Sequence, residues 1–144
     1  MTMKVYLSGR IAGLSFEEAN AWRSDVTEKL RGLGVQAINP LRGRMFFNGD
    51  DSHENHNELV QRDLHDIRMA DIVLVYLPTS DRLSVGTAME TWHAYYCEHK
   101  PVVLVSDDPR YLNHPWMQVA CTKMFSTLDK TIEYIAMRWG EEGV

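Results

Sequence analysis

The chain has 144 residues, of which 44% are hydrophobic and 24% are charged, and we expect a single soluble domain over residues 1–144. The formal charge of −5 argues against a nucleic-acid polymer as partner, because a phosphate backbone needs a clustered basic surface. No apolar run reaches the ~20 residues of a membrane span, and the N-terminus lacks a signal-peptide pattern. Together with two isolated cysteines, this predicts a cytoplasmic protein that does not bind membranes.

Strand and helix patterns alternate along the chain. In the first half the predicted elements are a strand over Lys4–Leu7, a helix over Ser15–Leu33, a strand over Val35–Ile38, a long loop over Leu41–His53 and a helix over Glu54–Ala70. In the second half they are a strand over Ile72–Leu77, a helix over Ser84–His99, a strand over Pro101–Val105, a loop over Asp107–Pro115, a weak strand at Met124–Phe125 and a helix over Leu128–Trp139.

Two of these strands, Ile72–Leu77 and Pro101–Val105, are continuous apolar runs, as in strands that are buried on both faces. The pattern predicts an α/β fold, a flavodoxin-like three-layer sandwich with a parallel sheet of four to five strands in the order 2-1-3-4-5. In such a sheet the ligand site lies where the strand order reverses, beyond the carboxyl ends of strands 1 and 3. The loops Ser8–Ala12 and Thr79–Gly86 should therefore face each other.

The helix over Ser15–Leu33 begins with a capping-box pattern, Ser15 with Glu18. Its apolar stripe is predicted to consist of Phe16, Ala19, Trp22, Val26, Leu30 and Leu33. In the next helix, Asp63 interrupts the apolar face formed by Leu59, Val60, Leu64 and Ile67. Asp63 has two interpretations. It is a structural carboxylate that is bonded to a backbone group or to an Arg, or it is a half-buried acid at the edge of a pocket, whose raised pKa suits proton transfer.

Glu90 is the second carboxylate in an unexpected position. The helix over Ser84–His99 is predicted to bury a stripe of Val85, Ala88, Met89, Trp92 and Tyr96. Glu90 lies beside this stripe, in line with the small residues Gly86, Thr87, Ala94 and Cys97. Space above the carboxylate and the nearby helix N-terminus suit a nucleophile or a ligand contact, whereas the alternative is an exposed Glu selected for helix propensity.

Two short segments have the composition of anion-binding loops. Ser84 and Gly86 stand at a predicted helix N-terminus, and Ser8, Gly9 and Arg10 follow the first strand. Neither is a P-loop, and no histidine spacing matches a zinc motif, so we expect no metal and no organic cofactor. Asp25, Asp66 and Asp71 are interpreted as caps or surface groups.

Three segments together resemble the nucleoside 2-deoxyribosyltransferase family, including its nucleotide N-glycosidase branch. They are Val5–Arg10, Arg62–Asp71 and Ser84–Glu90 with the following strand Lys100–Val105. The resemblance implies that Glu90 attacks C1′ of the sugar and forms a covalent glycosyl-enzyme, that Tyr6 orients Glu90, and that Asp63 protonates the departing base. It also implies a homodimer or higher homo-oligomer. Trp116, Met117 and Met124 are candidate interface residues, and packing in the core explains them equally well.

Ser84 distinguishes between branches of the family. Deoxyribosyltransferases that act on free nucleosides tend to have an acidic residue at this position, six before the nucleophile, whereas Ser84 with Arg10 would accept a phosphate. The resemblance therefore implies hydrolysis of a (deoxy)nucleoside 5′-monophosphate to free base and sugar phosphate, with Ser8, Gly9, Arg10, Ser84 and Gly86 binding the substrate. The alternatives are a transferase that exchanges bases, a non-catalytic nucleotide-binding or sensing module, and a flavin carrier.

Overall fold

The computed structural model describes residues 2–43, 53–79 and 82–140. The strands are β1 (Lys4–Gly9), β2 (Gln36–Ile38), β3 (Ile72–Tyr76), β4 (Val102–Val105) and β5 (Lys123–Phe125). The helices are α1 (Phe16–Gly32), α2 (His53–Met69), α3 (Val85–Trp92), α4 (Pro109–Leu112), α5 (Pro115–Ala120) and α6 (Leu128–Trp139). Most of the predicted loop Leu41–His53 lies outside the described residues. None of the described helices has both the length and the apolar character needed to cross a membrane.

The five strands form one parallel sheet in the order β2-β1-β3-β4-β5, which confirms the predicted α/β fold and strand order. Side chains alternate between the faces of the sheet, so each face has its own apolar core. One core joins the sheet to α1 and α6 through Val26, Leu30, Ile132 and Ile135. The other contains Tyr6 and joins the sheet to α2, to α5 and to the turn after α3 through Ile67, Met117 and Ala94, so the sheet is the middle of three layers.

The buried face of α3 differs from the prediction. Val85, Met89 and Tyr96 were expected in the core, but they are 77%, 68% and 64% exposed. The helix instead buries its small residues Thr87 and Thr91, which let its backbone approach the sheet closely. Hydrophobicity predicted the wrong side for these three bulky residues, whereas Ala88 and Trp92, the other members of the predicted stripe, are half-buried.

Two further boundaries differ from the prediction. The α-helical part of the helix expected over Ser84–His99 ends at Trp92, and His93–Cys97 continues as a π-helical turn. The loop expected over Asp107–Pro115 contains α4 and the first residue of α5. Both short helices have a proline in the first turn and a side-chain N-cap, from Asp108 and His114, and are too short to show a helical period.

Gly9 ends β1 where the sheet packs closely against α1. A Cβ at this position would lie 2.8 Å from the Trp22 ring and 3.2 Å from the carbonyl oxygen of Tyr76. Packing between β1, β3 and α1 therefore requires glycine here, irrespective of any ligand. The same close packing brings the carboxyl ends of β1 and β3 together, with Gly9 paired to Tyr76.

Candidate active site

Glu90 reaches from the second turn of α3 to the carboxyl end of β1. The hydroxyl of Tyr6 donates a hydrogen bond to Glu90 Oε2, and Ser8 Oγ donates to Glu90 Oε1 at 3.0 Å. Tyr6 and Ser8 lie on the same face of β1, because they are two residues apart, and both are buried. Each carboxylate oxygen of Glu90 is therefore held by its own donor, which fixes the orientation of the group.

Asp63 on α2 approaches the same point from the neighbouring helix. It is half-buried and close enough for its charge to act on Glu90. Arg42 lies near Asp63 as well, since the charges of Asp63 and Tyr6 both act on the Arg42 guanidinium. The structure thus brings the two carboxylates that stood out in the sequence to one region, next to Tyr6.

Asp66, interpreted from the sequence as a cap or surface group, is instead buried one helical turn beyond Asp63. Arg42 Nη1 and Nη2 donate to its two carboxylate oxygens at 2.7 and 2.8 Å. This bidentate pair fixes the Arg42 guanidinium at the edge of the site. The interpretation failed because the sequence does not show that Arg42, 24 residues earlier, lies against α2.

The Glu90 carboxyl has an unusual affinity for its proton. The pKa of Glu90 is raised from 4.5 to about 6, mainly by burial and to a smaller extent by the negative charge of Asp63. The hydrogen bonds from Tyr6 and Ser8 and the positive charge of Arg23 act in the opposite direction. At neutral pH the group is therefore mostly ionised, yet it is desolvated and has two fixed donors, which suits a carboxylate nucleophile.

Arg42 and Arg23 are not among the residues predicted from the sequence, and Arg23 is the more deeply buried of the two. It lies on α1, below the sheet, and is completely buried. Its position, four residues after Ala19 and three before Val26, places a charge next to a predicted apolar stripe. The rule that identified Asp63 would have identified Arg23 as well.

The residues expected to bind a phosphate occupy more ordinary roles in the structure. Ser84 is the N-cap of α3, and its Oγ accepts the Thr87 N–H at 3.1 Å. Arg10 Nε donates to the Ala12 carbonyl within its own loop at 3.1 Å. Nothing lies within 4 Å of a Cβ built on Gly86, so the first turn of α3 is open, and helix geometry leaves the first N–H groups there without intrahelical acceptors.

Tyr6→Phe is expected to raise the pKa of Glu90 above its value of about 6, because the variant loses a hydrogen bond that favours the charged carboxylate. The titration of the Glu90 carboxyl carbon, followed by NMR and assigned with Glu90→Gln, measures this shift directly. Tyr134→Phe is the matched control, since Tyr134 packs against Phe125 on the other face of the sheet. An unchanged Glu90 titration in Tyr6→Phe would contradict the role of this hydrogen bond.

Comparison with known proteins yields one family and a common fold. The family model for "Nucleoside 2-deoxyribosyltransferase like" proteins matches residues 2–109. A solved 2-deoxyribosyltransferase from Bacillus psychrosaccharolyticus is 23% identical, with a TM-score of 0.73 and 91% of each chain covered. A conserved protein from Enterococcus faecalis V583 is 16% identical, with a TM-score of 0.71 over 96% of this chain and 99% of the other. No match to a curated protein was found.

Within the part of the chain that the structure describes, no three His, Cys, Asp or Glu side chains converge as a metal site would require. The groups that surround Glu90 are a phenol, a hydroxyl, a second carboxylate and buried or paired arginines. Such a set can orient a carboxylate, stabilise its charge and move a proton. Of the residues predicted for chemistry, the structure places Tyr6, Ser8, Asp63 and Glu90 together.

Proposed function

The chain belongs to the nucleoside 2-deoxyribosyltransferase-like family, and from this premise we propose that it cleaves the N-glycosidic bond of a (deoxy)nucleoside 5′-monophosphate. The single observation that carries the proposal is the Glu90 carboxylate, oriented by Tyr6 and Ser8 with Asp63 close by. Family membership supports the coarser chemistry, transfer or cleavage of a nucleoside glycosyl group. A monophosphate substrate is favoured by the uncharged Ser84 at the N-cap of α3 and by Arg10 after β1.

In the first proposed step, a carboxylate oxygen of Glu90 attacks C1′ of the sugar as the bond from C1′ to the base nitrogen breaks. The base leaves with the bonding electron pair and takes a proton from the Asp63 carboxyl. In the second step, water attacks C1′, the ester to Glu90 breaks, and the water proton passes to Asp63. Glu90 must be ionised and Asp63 protonated at the start, so the two neighbouring carboxyls need one proton between them.

The open first turn of α3 supports a phosphate on the substrate. Ser84 is uncharged, whereas a carboxylate at this N-cap would repel a phosphate close to the helix N-terminus. Gly86 has free space around it, Gly9 ends the adjacent strand β1, and Arg10 follows that strand. Backbone N–H groups at a helix start together with a nearby guanidinium form the usual chemistry of a phosphate site.

Transfer of the sugar to a second base is the competing proposal, and the family match favours it as directly. It would use the same glycosyl-Glu90 ester, with a base nitrogen in place of water as the second nucleophile. A non-catalytic nucleotide-binding module is the proposal from another class. It would bind the same ligands and leave them intact.

A panel of nucleosides and their 5′-monophosphates, incubated with the protein and analysed for free base by chromatography, separates these proposals. We expect base release from monophosphates, none with Glu90→Gln, and full release with Glu133→Gln, which removes an exposed carboxylate on α6. Release from nucleosides alone would contradict the phosphate assignment. Base exchange that is faster than hydrolysis would identify a transferase. Binding without any turnover would show a non-catalytic nucleotide-binding module rather than an enzyme.

We also propose that the protein assembles with copies of itself through the outer face of α3. Val85 and Met89 are exposed there, and Tyr96 is exposed on the π-helical turn that follows. Trp116 on α5 is 63% exposed beside a cavity of about 350 Å³. Of the other candidate interface residues, Met117 is buried in the core and Met124 is half-buried. Sedimentation velocity tests the proposal, since Trp116→Glu should produce monomers.

A cytoplasmic location remains part of the proposal, supported by the two unpaired cysteines.

A further inference from the structure

Arg23 lies beneath the candidate active site, on the side of the sheet opposite to Glu90. We propose that Arg23 is a positioning residue that clamps the carboxyl end of β1 and supplies the buried positive charge that balances the Glu90 carboxylate across the sheet. The inference deepens the proposed function, on which it rests, because it assigns the electrostatic support of the Glu90 nucleophile to a residue that touches no substrate.

The clamp consists of hydrogen bonds from one guanidinium to the backbone. Arg23 Nη2 donates to the Gly9 carbonyl at 2.9 Å, and Nε donates to the Leu7 carbonyl at 3.4 Å. These two carbonyls flank Ser8, whose hydroxyl holds Glu90. A third bond, from Nη1 to the Ala19 carbonyl at 2.6 Å, ties the guanidinium to α1. The position of the Ser8 donor is therefore set from below by Arg23.

The burial of Arg23 also has an electrostatic consequence. A completely buried guanidinium pays a large desolvation cost, which carbonyl dipoles and the Trp22 ring, 4.6 Å from its central carbon, offset in part. The negative charge of Glu90 contributes as well, since the charge of Arg23 acts on Glu90 and favours its ionised form. The buried cation and the buried anion stabilise each other through the strand that lies between them.

The other groups that act on Glu90 come from different elements and are separable from Arg23. Tyr6 and Ser8 on β1 donate hydrogen bonds, and Asp63 on α2 contributes a negative charge. Arg42 is paired with Asp66 and acts on Asp63 and Tyr6. Of these groups, only Asp63 disfavours the ionised form of Glu90 by its charge. Because Arg23 acts in the opposite direction, its loss should raise the pKa of Glu90.

The test compares Arg23→Gln, which loses the charge, with Arg23→Lys, which keeps it. NMR titration of the Glu90 carboxyl carbon without substrate should show the midpoint raised by roughly half a pH unit in Arg23→Gln, below the ~1–3 units that an opposite charge gives at contact distance. Arg23→Lys should restore the midpoint. In Arg23→Gln, base release should fall about threefold more at acidic pH than well above the midpoint, the factor that half a pH unit gives. Arg31→Gln, which removes an exposed charge from the same helix, should change neither measurement.

A measurement on the unaltered protein covers the case in which both variants fail to fold. The NMR signal of the buried Arg23 Nε–H should shift with pH at the midpoint of Glu90, and Glu90→Gln should abolish that shift. Equal midpoints in native protein, Arg23→Gln and Arg23→Lys, or an Arg23 signal that ignores the Glu90 titration, would overturn the inference and leave Arg23 a purely structural residue. Neither the Glu90 titration nor the Arg23 titration requires substrate. They therefore support or overturn the inference even if the protein releases no base.

Discussion

Glu90→Gln is expected to abolish base release and, at the same time, to make the protein more stable at neutral pH. The loss of activity follows because an amide oxygen does not form the glycosyl ester, and removal of a covalent nucleophile lowers kcat by ~10⁴-fold or more. The gain in stability follows from the burial of the Glu90 carboxylate, which raises its pKa from 4.5 to about 6. Gln resembles the protonated form of the group and does not pay the cost of burying a charge.

The sign of this stability effect depends on pH. A carboxyl whose pKa is higher in the folded than in the unfolded protein binds more protons when folded between these two values. Its contribution therefore favours the folded state below pH 4.5 and is lost as the pH rises through about 6. The difference between the two pKa values corresponds to ~2 kcal/mol, which Glu90→Gln should recover above this range.

Urea unfolding of both proteins on either side of this range measures the effect. We expect Glu90→Gln to exceed the native protein by up to ~2 kcal/mol in unfolding free energy at neutral pH and to match it below the pKa of the unfolded state. The titrations of all other groups cancel in the difference, and Glu133→Gln, at an exposed site, should show no such pH dependence. A variant that gains nothing at neutral pH, or that retains base release, would refute the picture of a buried nucleophile.

Asp63→Asn is expected to slow base release by ~10²- to 10⁴-fold, the range for loss of a general acid. The effect should be greatest for bases that leave poorly as anions. It should nearly vanish for an N-methylated purinium nucleotide, whose base already carries a positive charge and departs without a proton. Base release slows in Asp63→Asn because Asn fills the same space as Asp but has no acidic proton to donate to the leaving base.

The same variant has a second effect that is independent of leaving groups. The negative charge of Asp63 raises the pKa of Glu90, so Asp63→Asn should lower that pKa and extend activity toward acidic pH. Single-turnover rates over a pH series, with substrates of differing base acidity, measure both effects. Asp129→Asn, which removes an exposed carboxylate at the start of α6, is the control. A uniform slowing across all bases would identify Asp63 as a residue that only positions the substrate.

The sequence predicted most of the local organisation because periodicity reports on it directly. The alternation of apolar runs and helical stripes gave the parallel sheet and its order, and Ser15 with Glu18 forms the predicted capping box. The failures have two separate causes. Apolarity predicts that Val85 and Met89 lie on the core face of α3, although apolar side chains also cover surfaces. The short helices α4 and α5 were missed because one or two turns cannot show a period.

By itself, the sequence determined which charged residues interrupt an apolar helix face. Asp63 is recognisable in this way because the spacing of apolar residues along one helix is a local property of the sequence. Only the tertiary structure decided what these residues do for one another. The hydrogen bonds from Tyr6 and Ser8 to Glu90 span 84 and 82 residues of sequence. Arg23 donates to the Gly9 carbonyl from the opposite face of the sheet. Proton affinity depends on burial and on charges from every packed element, so the state of Glu90 is a property of the assembled layers rather than of any segment.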